Sequence, residues 1–301
     1  MVSTLEATAP CRLELIGGAK GAPTRASTDG ASTDGAVRLA VALDRRVFCR
    51  VEPREAGVEI HSKDTGDRVT AEVAREIVSG PAARVAQVLV ASGVWSGVRV
   101  VTQVRVPEDA GLGAQGALEV AVRAALGFGV TTMLEQFERA PEAARIDGHA
   151  ALFGGAHVLR RLGSATSVAR VRTDPARLEE CLLLVDPGPL DGSFASAPPA
   201  GTGSATGLVE ALEAGAYDDV STILTKVHGG RFEPASASVR KIVDLVADAG
   251  GAAWPSGRLV AVWAVPGERS PGPREVVSKA LLEAGLRSFP ARVDLRGLEV
   301  E

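Results

Sequence analysis

The residues most able to do chemistry in this 301-residue chain form a glycine turn, Gly111-x-Gly113-x-x-Gly116. It stands between a strand-like run, Val98–Val106, and a small, apolar helical run, Ala117–Leu126. A glycine-rich strand-to-helix turn lets backbone N–H groups converge on an anion, because no Cβ blocks close approach. The same spacing matches a dinucleotide fingerprint, which also needs a second parallel strand ending in an acidic residue about 20 residues on. Glu135 has that spacing but sits in a helical stretch, and the turn follows a β-rich hundred residues, so that reading is set aside. A tight turn that binds nothing stays open as the alternative. The remaining reactive residue types offer less. Cys11, Cys49 and Cys181 are an odd number, far apart, with no C-x-x-C pair, which argues for neither a disulfide framework nor a zinc site. His61, His157 and His228 have no carboxylate or Cys at ligand spacing.

The elements that must position this turn follow from patterning. Arg12–Ile16 alternates like a strand and runs into Gly17-Gly18. A polar stretch from Ala19 to Gly35 contains the near-duplication Ser27–Ala31 and Ser32–Ala36, read as a surface loop. Val37–Val51 is strand material broken near Asp44–Arg46, and short strands follow at Val58–His61 and Val69–Val73. Helical spacing covers Pro81–Ala91, Thr132–Ala144 and Gly148–Phe153, with strands near His157–Leu159 and Ser167–Val171. In the second half Cys181–Val185 reads as a buried strand leading into a long Pro/Gly/Ser loop, Asp186–Ser204. Helices are expected over Leu208–Ala214, Asp218–Lys226, Ala235–Ala247 and Glu275–Ala284, and strands over Leu259–Ala264 and Phe289–Leu295. This interleaving without strict alternation predicts an α+β fold in two halves, 1–171 and 172–301.

Composition narrows the function. Hydrophobic residues make 46% of the chain and charged residues 23%, enough for a core and too balanced for global disorder. A net charge of -4 argues against bulk nucleic-acid binding, and no apolar run approaches a membrane span. No secretory leader is visible near Met1–Pro10, and the cysteine usage fits a reducing cytoplasm. A homodimer is left open. Glycine is the outlier at 34 residues, so its placement matters.

Four stretches, in order, resemble the GHMP kinases, the superfamily of galactokinase, homoserine kinase and mevalonate kinase. Pro107-x-x-x-Gly111-Leu112-Gly113-x-x-x-Ala117 is similar to their P-x-x-x-G-L-G-S-S-x-A. Ala9-Pro10-Cys11-Arg12 with Gly17-Gly18 resembles the opening of the heptose 7-phosphate kinase branch. Asp147-Gly148-His149-Ala150-Ala151-Leu152-Phe153-Gly154-Gly155 resembles that branch's Q-D-Q-Y-A-A-A-F-G-G, and Phe289–Val300 its closing segment. The resemblance implies a ribosomal protein S5 domain 2-like N-terminal half, a ferredoxin-like C-terminal half, and ATP-dependent phosphorylation of a sugar-like hydroxyl with Mg²⁺. It implies that Gly111, Leu112, Gly113, Ala114, Gln115 and Gly116 cradle the ATP phosphates. It places Asp147 as catalytic base, with an N-cap at a helix starting from Gly148 as the competing role. Arg12 would neutralise phosphate or favour the charged form of the base, against a solvent-facing strand position. Glu138, nine residues before Asp147, lies near the family's metal-binding Glu, or is an exposed helical carboxylate. His149 has a place in the same cleft or a structural one.

The departures bear on the phosphates. The two serines of G-L-G-S-S are Ala114 and Gln115, and Mg²⁺ prefers oxygen donors in near-ideal octahedral geometry. Lys20-Gly21 replaces Thr-Asp after the first motif. A third, glycine-rich motif is worn to Gly250–Gly257, with Trp254 and Pro255 expected to fill the space. Gly188-Pro189-Leu190-Asp191 replaces Gly-Ile-Ser-Arg, turning a cation into an anion. The sequence therefore carries two expectations: a sugar kinase, or a kinase fold whose reaction is lost or changed.

Overall fold

The computed structural model describes residues 4–17, 37–107, 109–162, 165–188, 202–228, 236–267 and 272–301. The near-duplication, Lys20-Gly21 and Pro189–Asp191 lie outside them. The first half is built on a long antiparallel pair, β1 (Leu5–Ile16) and β2 (Val37–Pro53). The expected break at Asp44–Arg46 is a bulge within one continuous strand: Pro10 faces Arg46, and Cys11 faces Leu43. A bulge bends and twists a strand without ending it. The far edge of β2 serves two neighbours, β5 (Val98–Val104) along Val47–Pro53 and β6 (Ala156–Leu162) along Val37–Val41. Between β2 and β5 the chain forms β3 (Val58–Ser62), β4 (Arg68–Ala71) and α1 (Gly80–Ala91), which crosses over to make β3 and β5 parallel. The sheet order is β12-β1-β2-β5-β3-β4, with β6 joining β2 to β7 (Ala165–Val171). β12 (Glu299–Val300) comes from the chain's last residues, which also bring buried Asp294 onto Arg46.

Two helices, α2 (Ala114–Ala125) and α4 (Glu142–Phe153), pack on this sheet, and α3 (Val130–Glu138) packs against both of them. The buried face of α2 is small (Ala114, Ala117, Ala121, Ala125), so it seats close to β1 and β2. The helix boundaries differ from expectation. A helix expected over Thr132–Ala144 ends at Glu138, and the next begins at Glu142, because Pro141 at the N-cap fixes φ at -56° and cannot continue a helix. Asp147 is therefore inside α4 and caps nothing.

The second half starts with α5 (Pro175–Cys181) and β8 (Leu182–Asp186), continues through α6 (Thr202–Ala214), α7 (Tyr217–His228) and α8 (Ala237–Asp248), then β9 (Ala252–Ser256), β10 (Leu259–Trp263), α9 (Pro273–Glu283) and β11 (Arg287–Pro290). Its sheet runs β11-β8-β10-β9, all antiparallel. Numbered within this half that is 4-1-3-2, the ferredoxin-like order. α8 and α9 cover it with Ile242, Val246, Val277 and Leu281. The larger core is continuous through both halves, from Leu13 and Leu39 to Trp254 and Trp263. The span read as a worn glycine motif is β9, a fully buried strand that hydrogen-bonds to β10.

Candidate functional site

The glycine turn, β1 and α4 meet at one corner. The Arg12 backbone N–H donates to Leu112 O at 2.7 Å, pinning β1 to the turn. The Arg12 side chain passes beneath Gly113, where a Cβ would lie 2.7 Å from Arg12 Cγ. Its Nε donates to Asp147 Oδ1 in a close ion pair, with Arg12 4% and Asp147 6% exposed. Gly116 makes the approach of α4 possible, since a methyl there would overlap Asp147 Cβ. Arg12, Leu112, Gly113, Gly116 and Asp147 thus meet at this corner.

A second carboxylate shares the arginine. Glu14 lies two residues on, on the same face of β1, and accepts from Arg12 Nη1 at 3.4 Å and from Arg38 Nη1 at 3.0 Å. Burial pushes the Glu14 carboxyl up, and the two arginines offset only part of that. For Arg12, burial alone would lower the pKa, but Asp147 and Glu14 reverse it and hold the guanidinium above its ordinary value. Neighbouring Cys11 is buried and pushed up to about 12, with Asp147 adding to the effect, so its thiol is inert. Glu14 and Arg38 were not singled out in the sequence. The signal was the two-residue spacing on a strand that already carried Arg12.

The C-terminal half closes the corner from outside. Trp254 Nε1 donates to Glu14 O at 3.0 Å, and His228 Nε2 donates to Leu15 O at 3.0 Å. Their rings stack at 4.9 Å. Burial lowers His228 to about 4, so it is neutral. Trp254 therefore packs on β1, while Gly257, in the β9–β10 turn, reaches the glycine turn. Gly111 (φ +71°) and Gly257 (φ +55°) touch backbone to backbone, and a methyl on either would overlap the other segment. Arg258 N donates to Asp109 O at 2.7 Å, and Ser256 Oγ to Gly111 O at 3.3 Å.

α2 opens at Gly113 with no side-chain cap and no acidic residue in its first turn. Its first N–H groups have no intrahelical acceptor, and the helix dipole there favours an anion. Two cavities flank this end. One, of about 220 Å³, is mostly apolar, with Ile60, Val85, Val104 and Leu118 beside Ser62 and Thr102. The other, of about 420 Å³, holds Gly116, Phe137 and Asp147 in its wall. Arg84, Gln115 and Leu118 line both. Together they make a trough from an apolar chamber, past the start of α2, to Asp147.

Glu138 is not brought to this corner. Its carboxylate meets His149 Nε2 at 3.2 Å and Arg145 Nη1 at 3.8 Å, both on a face of α4 turned away from Asp147. Residues 145 and 149 are four apart, whereas 147 is two from each, about 200° round the helix. His149 belongs to that outer group, with ring contacts to Phe153 and His157. Among the described residues no group of three or more His, Cys, Asp or Glu can hold a metal ion. Ala114 carries no donor oxygen, and Asp147 is engaged by Arg12. The side chains present fit an anion cradle and do not compose a Mg²⁺ site.

No protein-family model matches the sequence, and no curated protein does. The likeness is in the fold. Solved structures with this arrangement include GHMP-family kinases, and the chain has their two-part α+β architecture. Among them is a Campylobacter jejuni protein described as a sugar kinase, 18% identical over 100% of this chain and 98% of that chain, with a TM-score of 0.72. A D-glycero-D-manno-heptose 1-phosphate kinase from Bacteroides thetaiotaomicron is 17% identical over 99% and 98%, with a TM-score of 0.69. A Lactococcus lactis galactokinase in complex with galactose is 11% identical over 98% and 95%, with a TM-score of 0.69. No described helix is long and apolar enough to cross a membrane.

Proposed function

We propose that the protein transfers a phosphoryl group from ATP to a hydroxyl of a sugar or sugar-like small molecule. The observation that carries this reading is the buried Arg12–Asp147 pair set against the uncapped start of α2. The apolar chamber accepts the base, and the N–H groups of the glycine turn and the first turn of α2 face the phosphates. Asp147 takes the proton of the attacking hydroxyl. Arg12 fixes the orientation of that carboxylate and supplies positive charge where negative charge builds up. Phosphoryl transfer needs little covalent help, so positioning and charge stabilisation account for most of the rate. Sugar kinases among the fold relatives support a polyhydroxyl acceptor. The test is ADP formation across a panel of sugars and sugar phosphates with Mg²⁺ or Mn²⁺. Turnover should fall about 10²–10⁴-fold in Asp147→Asn, and a silent panel would end the proposal.

A second reading rests on Ala114 and Gln115, which remove both hydroxyls from the turn. The fold would then serve ligand binding or a different reaction. Calorimetry of MgATP against the wild type and Gln115→Ser separates the two. Binding by the variant alone favours a lost phosphate site, and binding by both favours the kinase.

A further inference from the structure

We infer that Glu14 is a positioning residue: it holds the Arg12 guanidinium so that Nε faces Asp147, and so sets how the Asp147 carboxylate meets the attacking hydroxyl. The inference rests on the phosphoryl-transfer reading and deepens it. Arg12 is gripped at two nitrogens, by Asp147 at Nε and by Glu14 at Nη1, the latter at 3.4 Å. A planar guanidinium bonded at one nitrogen can still swing about that bond, whereas carboxylates at two nitrogens fix its plane. Asp147 then has a fixed donor to align on, and Glu14 is what fixes it.

Glu14 is itself held by its surroundings. Ala40 is its partner across the β1–β2 pair, and Arg38, two residues before Ala40, reaches it diagonally and donates to Glu14 Oε1 at 3.0 Å. The Glu14 carbonyl accepts from Trp254 of the C-terminal half. β1 shifts register between Glu14 and Ile16, and an irregularity of that kind re-aims a side chain. Gly17 leaves room for the result, since a Cβ there would lie 1.5 Å from Glu14 Oε1. The row Arg38–Glu14–Arg12–Asp147 alternates in sign, so Glu14 also balances charge. Balance alone would make it a structural ion. The grip at Nη1 adds a second role, because displacing the carboxylate frees Arg12 to turn even when every charge is still present.

The test uses Glu14→Gln, which removes the charge, and Gly17→Ala, which keeps every charge and displaces only the flexible end of Glu14. The first readout needs no ligand: exchange of the Arg12 Nε–H with water, followed by NMR in the full chain, should become about tenfold faster in both variants. The second is steady-state kinetics with MgATP and the sugar of the panel that turns over fastest. There kcat should fall about 10–100-fold in Glu14→Gln and less in Gly17→Ala, with KM for ATP unchanged. In an Asp147→Asn background the same Glu14→Gln change should cost less than about threefold, because Glu14 acts through Asp147. Gly17→Ala carries the test alone if Glu14→Gln does not fold by circular dichroism. Unchanged exchange, or a kcat within about threefold of wild type, overturns the inference and leaves phosphoryl transfer standing. So does an equal loss with and without the Asp147 carboxylate, which marks a structural role, or a loss confined to KM. No turnover of any sugar by folded wild type overturns both readings.

Discussion

The two ends of the trough are built in opposite ways. At the Asp147 end the central pair is buried and locked by geometry: Arg12 is held by two carboxylates and by its own backbone bond to Leu112 O, and Gly116 admits α4. Where the two cavities meet, the side chains are an exposed arginine, a half-buried glutamine and a buried alanine. The Arg12–Asp147 corner is thus part of the core, whereas the junction at Arg84 and Gln115 lies nearer the surface, where side chains change with less disturbance to the fold. Resemblance to the kinases follows the same line, retained at Arg12 and Asp147 and lost at Ala114 and Gln115.

Substitutions test that contrast, and the largest effect belongs to the core corner. Arg12→Ala leaves Asp147 and Glu14 buried without their shared cation and should cost about 3–5 kcal/mol of stability by urea unfolding. Acid should act next. His157, which donates to Gly154 O, and His228 are each lowered to about 4 by burial, whereas the unfolded chain protonates near 6.5. Stability is therefore full above about pH 6.5 and falls as the pH drops toward 4. Each histidine contributes a slope of up to about 1.4 kcal/mol per pH unit in that window. Urea midpoints at pH 7 and pH 5 measure the sum, and His228→Phe should remove about half of it. Gly257→Ala, strained at φ +55° and pressed on the glycine turn, should cost about 1–3 kcal/mol. It should also weaken ATP binding, which ties the C-terminal half to the site. Gln115→Ala should change stability by less than about 0.5 kcal/mol. A large loss there would erase the distinction between the two ends.

How much of this was legible in the sequence depended on whether local pattern or distant packing decides. The strands that alternate, the small-residue face of α2 and the turn at Gly111–Gly116 are set by local spacing and could be read directly. The ferredoxin-like half and the Arg12–Asp147 meeting came through resemblance, since 135 residues separate those two side chains. The α3–α4 boundary was misplaced because Pro141 outweighs the helical pattern on either side of it. β9 was taken for a degraded loop because Gly250, Gly251 and Gly257 bracket it, while Ala252, Trp254 and the pairing with β10 make it a strand. Glu138 came through the resemblance, with an exposed helical carboxylate as the alternative. Its partners, Arg145 and His149, lie on the next helix, and that meeting needs three dimensions.

The contact between Gly111 and Gly257 carries a consequence for how the molecule comes into being. The glycine turn gets one wall from a hairpin made about 145 residues later, so it cannot take its final shape while the first half is alone. On a growing chain the site would be the last part to set, after synthesis of β9 and β10. The Arg258 amide, bonded to Asp109 O across that contact, should then be a sensitive clock in pulse-labelling hydrogen exchange. Its protection would mark the moment at which the two halves become a single protein.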